Sequence, residues 1–495
     1  MRKGLIAIGI TATAGLLLSC CLTVIQDPFF AYHSPRSEQY YNFINEAYQN
    51  PGIARNFDYT NIISGSSVTE NFNTQYFDEQ YGGQTVKLCY SGETLKNKYD
   101  ILKLAFESKE ESEIKKVFSS LDLWELVDAE GAVYNESPQY LMDDNVLNDA
   151  NYLFNKDVLF DNVIPNLLNG GGAAQEMHSA FKWWGMPYGS YAIFEQWVVP
   201  SPWREEQDRS IYLDLVEDNL NNYIIPLVKE NPEIDFYFFY PPYSILYWYE
   251  KACGGEVDAL FAAKHYVNER LMQYSNVNVY DFQWDIDIIT NLWNYKDTIH
   301  YGENIQNFIA EQFAESKYLI NDDWVEKTVK LKHEIDSFSL GEYSSEILWE
   351  IEDIHNYIKY VIGQPQYVVF CTLNGNSSMG WTKHLLDLWK SYGSKINLKN
   401  LDKGSYIMIA ENGKIKYEEA SEDDLEFRIN DDIYIKSIVN MWEDDANITI
   451  NGVEYSQNGR GINIVVYDKE KKKVVDSVCF DTDNNLVCTR MNGWR

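Results

Sequence analysis

What this chain can fold into is narrowed first by a rhythm. From about residue 58 to 316, short apolar runs of strand type alternate with stretches of helical period. "YTNIIS" reads as a strand, after which Val68, Phe72 and Tyr76 fall on one helical face until Gly82-Gly83 stops the helix. "TVKLCY" (85–90) is a second strand, and Leu95, Tyr99, Leu102 and Phe106 mark the next helix. "IKKVFSSLDL" supplies a third strand. "DFYFFYPPYS" (235–244) is a strong later one, followed by a long helix from about Ile245 to Tyr274, and "VNVYDF" (277–282) comes last. Such alternation predicts an α/β layered domain with a mainly parallel sheet. Residues 125–230 interrupt the rhythm with Gly170-Gly171-Gly172 and Trp183-Trp184, and read as an insertion beside the sheet.

The texture then changes. Residues 320–364 read as a helical linker in which Ile347, Ile351, Ile354, Ile358 and Val361 recur at heptad spacing. Ser344-Ser345 can cap its start, and Gly363 with Pro365 ends it. From 365 to 495 the pattern is that of a smaller α+β domain. "YVVFCTL" is a strand and "MGWTKHLLDLWKSYG" an amphipathic helix, while "YIMIAENGKIKYE" and "ITINGVEYS" each carry an Asn-Gly hairpin turn.

At the start, Arg2 and Lys3 precede an uncharged run from Gly4 to Ile25, and Asp27-Pro28 closes it. The run is long enough to cross a bilayer, and positive charge before it places the N-terminus inside. Residues 1–26 are therefore expected to be an uncleaved single-pass anchor with the body extracytoplasmic. A lipoprotein signal ending at Leu17-Leu18-Ser19-Cys20 is the second choice. The formal charge of −34 disfavours nucleic acid as a partner, because that binding draws on Lys and Arg phosphate contacts. Seven cysteines are too few for a disulfide framework. Cys479 and Cys488 flank a turn and can bridge a hairpin, whereas Cys89, Cys253 and Cys371 suit buried free thiols. No Cys/His spacing suits zinc, and the chemistry below needs neither metal nor organic cofactor.

That chemistry starts at "IISGSSVTENF" (62–72), where a strand end runs into Gly65-Ser66-Ser67 and then helical pattern. A side chain at such a joint sits at the carboxyl edge of a parallel sheet, where α/β folds place ligands. Ser67 suits a nucleophile there, and taken alone it suits a helix N-cap better. "YKDTIHYGEN" (295–304) follows the last strand of the same domain. Its Asp297 and His300 are spaced so that the carboxylate can hold the imidazole in the tautomer that accepts a serine proton. Taken alone, His300 also suits an ordinary surface histidine.

A serine after the first strand and Asp-x-x-His after the last resembles the SGNH/GDSL hydrolase superfamily over about residues 55–316. The resemblance implies an SGNH-type three-layer domain at 27–319, with Ser67 as nucleophile and Asp297 and His300 as its triad partners. "GSS" at 65–67 looks like the first block, and Ser91-Gly92 resembles the second, which implies the Ser67 and Gly92 amides as oxyanion donors. The third block, Gly-x-Asn-Asp, has no counterpart. "SSLD" (119–122) stands where it should lie, with Asn71 as a substitute donor. The anchor, "DPFFAYH", a "G-[ST]-S" nucleophile and "PPYS" (241–244) are similar to membrane-anchored members of the D-alanyl transfer and alginate O-acetylation types. That likeness implies an O-acyltransferase or esterase acting on O-acyl groups of a cell-surface polysaccharide, beside a membrane-bound O-acyltransferase. A non-catalytic envelope scaffold or glycan-binding protein on the same fold is the alternative. "GRGINIVVYDKEKKKVVDSVCFDT" (459–482) with "YVVFCTLNGNSS" resembles the interleukin-like EMT inducer (PANDER-like) domain with its halves permuted. It implies that 367–373 and 462–467 share a sheet.

Overall fold

A computed structural model describes residues 2–36, 39–110, 113–132, 134–169, 175–183, 185–189, 192–193, 197, 200, 207–338, 348–374, 381–400, 404–429, 432–439, 447–482, 484 and 486–490. Gly170–Gly172, Trp184, Ser344, Ser345 and Ile347 lie outside them. The chain forms two compact units, Met1–Met186 with Pro202–Asp336, and Pro187–Ser201 with Ser337–Arg495.

The first unit is built on five strands, β1 (Asn61–Gly65), β2 (Thr85–Cys89), β3 (Lys116–Ser120), β4 (Asp235–Tyr240) and β5 (Val277–Asp281). Every pairing is parallel and the order is β2-β1-β3-β4-β5. The apolar runs are continuous because helices cover both faces. On one face Phe77, from the helix α3 (Thr74–Tyr81, in chain order after α1, Arg2–Gln26, and α2, Glu46–Asn56), meets Phe118 of β3. Phe313, after the helix Glu303–Gln312, packs on the same residue and on Phe239. On the other face Phe106 of α4 (Leu95–Ser108) meets Phe236. The strand order reverses between β1 and β3, which makes the carboxyl end of β1 a topological switch point.

Two helices differ from the sequence expectation. The chain after β1 makes only a 3-10 turn, Ser67–Thr69, and α3 begins at Thr74 behind an Asn73 cap. Thr69 Oγ1 and the Thr69 amide both return to the Ser66 carbonyl, and this local hydrogen bonding competes with helix propagation. Gly82, at φ 70°, ends α3 as expected. The single long helix expected from Ile245 is two, Ile245–Cys253 and Val257–Leu271, parted by Gly254-Gly255 with Gly255 at φ +70°. The insertion carries short helices. Its last part, Arg209–Asn219, packs on Val257–Leu271.

The second unit holds two antiparallel sheets. One has the order β15-β14-β13-β6-β7-β8, made of Val487–Arg490, Lys473–Asp481, Gly461–Asp468, Tyr367–Asn374, Ser405–Glu411 and Lys414–Ser421. The other is β12-β11-β10-β9, made of Val453–Glu454, Ile448–Ile450, Ile433–Ser437 and Leu425–Ile429. β6 and β13 pair directly, Val368 opposite Tyr467 and Leu373 opposite Ile462. Both Asn-Gly turns have positive φ at both residues, 53° and 71° at Asn412-Gly413 and 52° and 76° at Asn451-Gly452, as type I′ hairpins require. The helix expected across the heptad run starts only at Ile354, capped by Asp353, with Leu348–Glu350 a 3-10 turn before it. All seven cysteines are free. Cys479 stands opposite Thr489, and Cys488 opposite Phe480. That offset of one residue turns the two thiols to opposite faces of the sheet, so they do not form the bridge their spacing allows.

Candidate active site

Gly65 ends β1 at φ +152°, and a Cβ there would lie 2.4 Å from Ser120 Oγ and 2.6 Å from Thr69 Cγ2. Only glycine lets the end of β1 pass this close to β3. The tight exit turns Ser67 outward. It is the one residue between Asn61 and Phe72 that is not buried. Ser67 is also not the N-cap, a position held by Ser66 with no side-chain cap bond.

The second part of the site is a hairpin-like loop after β5. Lys296 N donates to the His300 carbonyl (3.0 Å), and Tyr295 bridges Tyr301. Asp297 Oδ1 accepts from the amides of Ile299 (3.0 Å) and His300 (2.8 Å), while Oδ2 lies 2.7 Å from His300 Nδ1. Burial alone would raise the Asp297 carboxyl. The hydrogen bond and charge of His300, with the His300 and Ile299 amides, outweigh it and hold the group below the ordinary carboxylate range. An ionised Asp297 can only accept, so beside a neutral His300 it fixes the Nδ1–H tautomer and leaves Nε2 as acceptor. Nε2 lies 2.7 Å from Ser67 Oγ. "PPYS" holds this loop from below: Ser244 N and Oγ both donate to the Thr298 carbonyl (3.0 and 2.8 Å), and Tyr295 OH donates to the Pro242 carbonyl (2.6 Å). Ser67, His300 and Asp297 are thus brought together in the order their chemistry needs.

Gly92 sits at φ +66° in the turn after β2, closed by Glu93 N to the Tyr90 carbonyl (3.0 Å), a conformation glycine favours. Among the described residues, the Ser67 and Gly92 amides donate to no protein acceptor. Asn71 is buried, and its Oδ1 accepts the Trp183 amide (3.0 Å). "SSLD" turns inward. Ser120 Oγ donates to Asp122 Oδ2 (2.7 Å), and Asp122 also accepts from Tyr243 OH.

Three further residues join the site. The Trp183 ring stands edge-on to His300, with centroids 5.5 Å apart, and Lys296 Nζ lies 3.9 Å from the Trp183 centroid. Glu70 ties the parts together, with Oε1 accepting from Ser91 Oγ (2.6 Å) and Oε2 from Trp183 Nε1 (2.9 Å). Nothing in the spacing of Glu70, Trp183 and Lys296 signals this meeting, because the insertion supplies Trp183 and the fold alone brings it over the sheet edge.

Burial, above all, and the neighbouring Glu46 push Glu70 up to about 7 from an ordinary 4.5. A carboxyl raised in the fold binds protons that the unfolded chain has released, so stability falls as pH rises from 4.5 to 7. We expect thermal unfolding to show that fall, about 2–3 kcal/mol shared with Glu46, and Glu70→Gln to flatten it. Melts at pH 5 and 7 compare the two proteins below the range in which the buried Lys87, lowered to about 7 by desolvation, adds its own slope.

The fold and this site define a parallel α/β protein in which Ser67, His300 and Asp297 form a hydrogen-bonded chain at the switch point of its sheet. No protein-family model matches the chain, and no curated protein matches it. Among solved structures, one described as "a putative platelet activating factor from Streptococcus pneumonia" is similar over 54% of this chain and 89% of its own, at 11% identity and a TM-score of 0.28.

Proposed function

We propose that the chain is an SGNH-type serine O-acyltransferase or esterase, anchored in the membrane by α1 with its body extracytoplasmic. Its substrates are O-acyl groups, acetyl above all, on a cell-surface polysaccharide. The observation that carries this reading is the unbroken path from Ser67 Oγ through His300 to Asp297, 2.7 Å at each step. Ser67 attacks the acyl carbonyl as His300 Nε2 takes its proton, and Asp297 steadies the imidazolium. The Ser67 and Gly92 amides receive the oxyanion. Collapse expels the alcohol, which takes the proton back from His300 and leaves acyl-Ser67. Water or a second polymer hydroxyl, deprotonated by His300, then removes the acyl group. A membrane-bound O-acyltransferase is the partner such a transfer chain would draw its acyl groups from. α1 supports the anchor, being long and apolar enough to cross a membrane over Leu5–Gln26.

In the same reading, residues 27–319 are the enzyme domain with its insertion at 125–230, 320–364 the linker, and 365–495 the permuted interleukin-like EMT inducer-like module. The direct pairing of β6 with β13 is what two permuted halves require. The rival reading, a scaffold or glycan-binding protein, draws on the inward-turned Ser119–Asp122, which stands where the superfamily keeps an asparagine donor.

The test uses the full chain in detergent. A fluorophosphonate should label it covalently, and it should release or transfer acetyl from acetylated oligosaccharides as well as from aryl acetates. A wild type that neither labels nor turns over any ester would leave the scaffold reading. Labelling with aryl-ester turnover but no action on acetylated glycans would remove the polysaccharide from the proposal and keep the serine chemistry.

A further inference from the structure

α1 does not hang from the body on a tether. Its length faces outward, with Leu5, Ile8 and Leu18 at 65%, 68% and 61% exposure, but Thr23 and Gln26 in its last turn are buried. Leu22 packs against a cluster of Phe29, Leu141, Tyr152, Val158 and Val163. The turn out of the helix is fixed as firmly. The Asp27 carboxylate accepts from the amides of Ala31, Tyr32 and His33 and from Tyr152 OH, at 2.7 to 3.0 Å. The end of α1 therefore packs directly on the helical segments Ala150–Leu153 and Val158–Val163, the second of which runs on to Leu168. Those elements and the loop before them carry apolar side chains that stand exposed among the described residues: Val146 (76% exposed), Leu147 (84%), Phe154 (47%), Phe160 (63%) and Leu168 (81%).

We infer that residues 146–168 form a lipid-contact surface that dips into the same bilayer α1 crosses, on the body's side of it. The inference rests on the anchor reading above. A helix whose last turn is locked into the body fixes where the bilayer surface meets that body. The elements packed on that turn are the ones at headgroup level, where exposed Phe and Leu partition favourably. Charge selects the lipid. Asp144, Asp149, Asp157 and Asp161 surround the apolar residues against Lys156 and Arg55, the latter 3.4 Å from Asp144, in a chain of net charge −34. The surface therefore fits zwitterionic headgroups and is repelled by anionic ones. It also presents separate side chains along a segment, which suits lipid better than the seat of a second protein.

The test places p-benzoylphenylalanine, one site at a time, at Phe160, Leu168, Leu17 of α1 and the exposed Lys103 of α4. The full-length chain is reconstituted in phosphatidylcholine vesicles that carry a clickable phosphatidylcholine. On irradiation, Phe160 and Leu168 should give lipid adducts within about threefold of the Leu17 yield, and Lys103 only background. Replacing half the lipid with phosphatidylglycerol should lower the Phe160 and Leu168 yields and leave Leu17 unchanged. Adducts at Leu17 without any at Phe160 and Leu168 overturn the contact surface and spare the anchor. No adduct at Leu17 overturns the anchor and the surface with it. Protein adducts in place of lipid at Phe160 and Leu168, in cell membranes, assign the face to a protein and reject the proposal.

Discussion

Ser67→Ala is expected to lower acyl-ester turnover by about four orders of magnitude or more and to abolish fluorophosphonate labelling. The melting temperature should barely move. Ser67 Oγ caps no helix, and its bond to His300 Nε2 lies in a part-buried site, so the deletion leaves no buried group stranded. His300→Ala should fall to the same residual activity, and the double variant no further, because the two groups act as one unit. Initial rates on an aryl acetate, beside thermal melts of the same samples, decide the matter. Turnover that survives in Ser67→Ala rejects the nucleophile. A large drop in melting temperature instead returns Ser67 to a structural role.

The second large effect is expected beneath the site. Lys98 donates to the Ser120 carbonyl (2.5 Å) and Glu125 Oε1 (2.7 Å) and lies 3.5 Å from Glu93 Oε2. All three charged side chains are at most 1% exposed. Lys98→Met strands two buried carboxyls and should cost about 3–5 kcal/mol at pH 7.5. Burial pushes Glu125 up to about 7, so at pH 5 it carries a proton and needs no cation, and burial raises Glu93 in the same direction. The loss should therefore shrink at pH 5. Urea melts at the two pH values measure it, and an equal loss at both would assign Lys98 to packing alone.

How legible was this molecule in its sequence? The parallel sheet announced itself through apolar strand-like runs alternating with helical periods. The Asn-Gly turns were legible because φ > 0 at two successive residues leaves few other choices. Ser67 and the Asp297/His300 pair were readable as residue types in the right places, although nothing in the sequence set their distance. What escaped depends on competition between local and tertiary terms. Val68, Phe72 and Tyr76 have helical spacing, yet Thr69 bonds back to Ser66 and the helix waits for Asn73. Gly254-Gly255 inside an apolar period is tolerated by pattern reading and breaks the real helix. Glu70, Trp183 and Lys296 carry no motif, since their meeting is made by an insertion folding over the sheet edge.

Ser67 and His300 stand 233 positions apart in the chain, one after the first strand of the sheet and the other after the last. Non-local contacts of this span form late, because loop closure must precede them. While the chain is being made, Ser67 is an ordinary alcohol. Without a base beside it, a hydroxyl is a feeble nucleophile at neutral pH. On the proposed mechanism, reactivity would arrive only when β5 is in place and the Asp297–His300 loop closes on the finished edge. If Ser67 is the proposed nucleophile, nascent, truncated or proteolytically opened chains would thereby be chemically silent, with the fold itself as the safety catch.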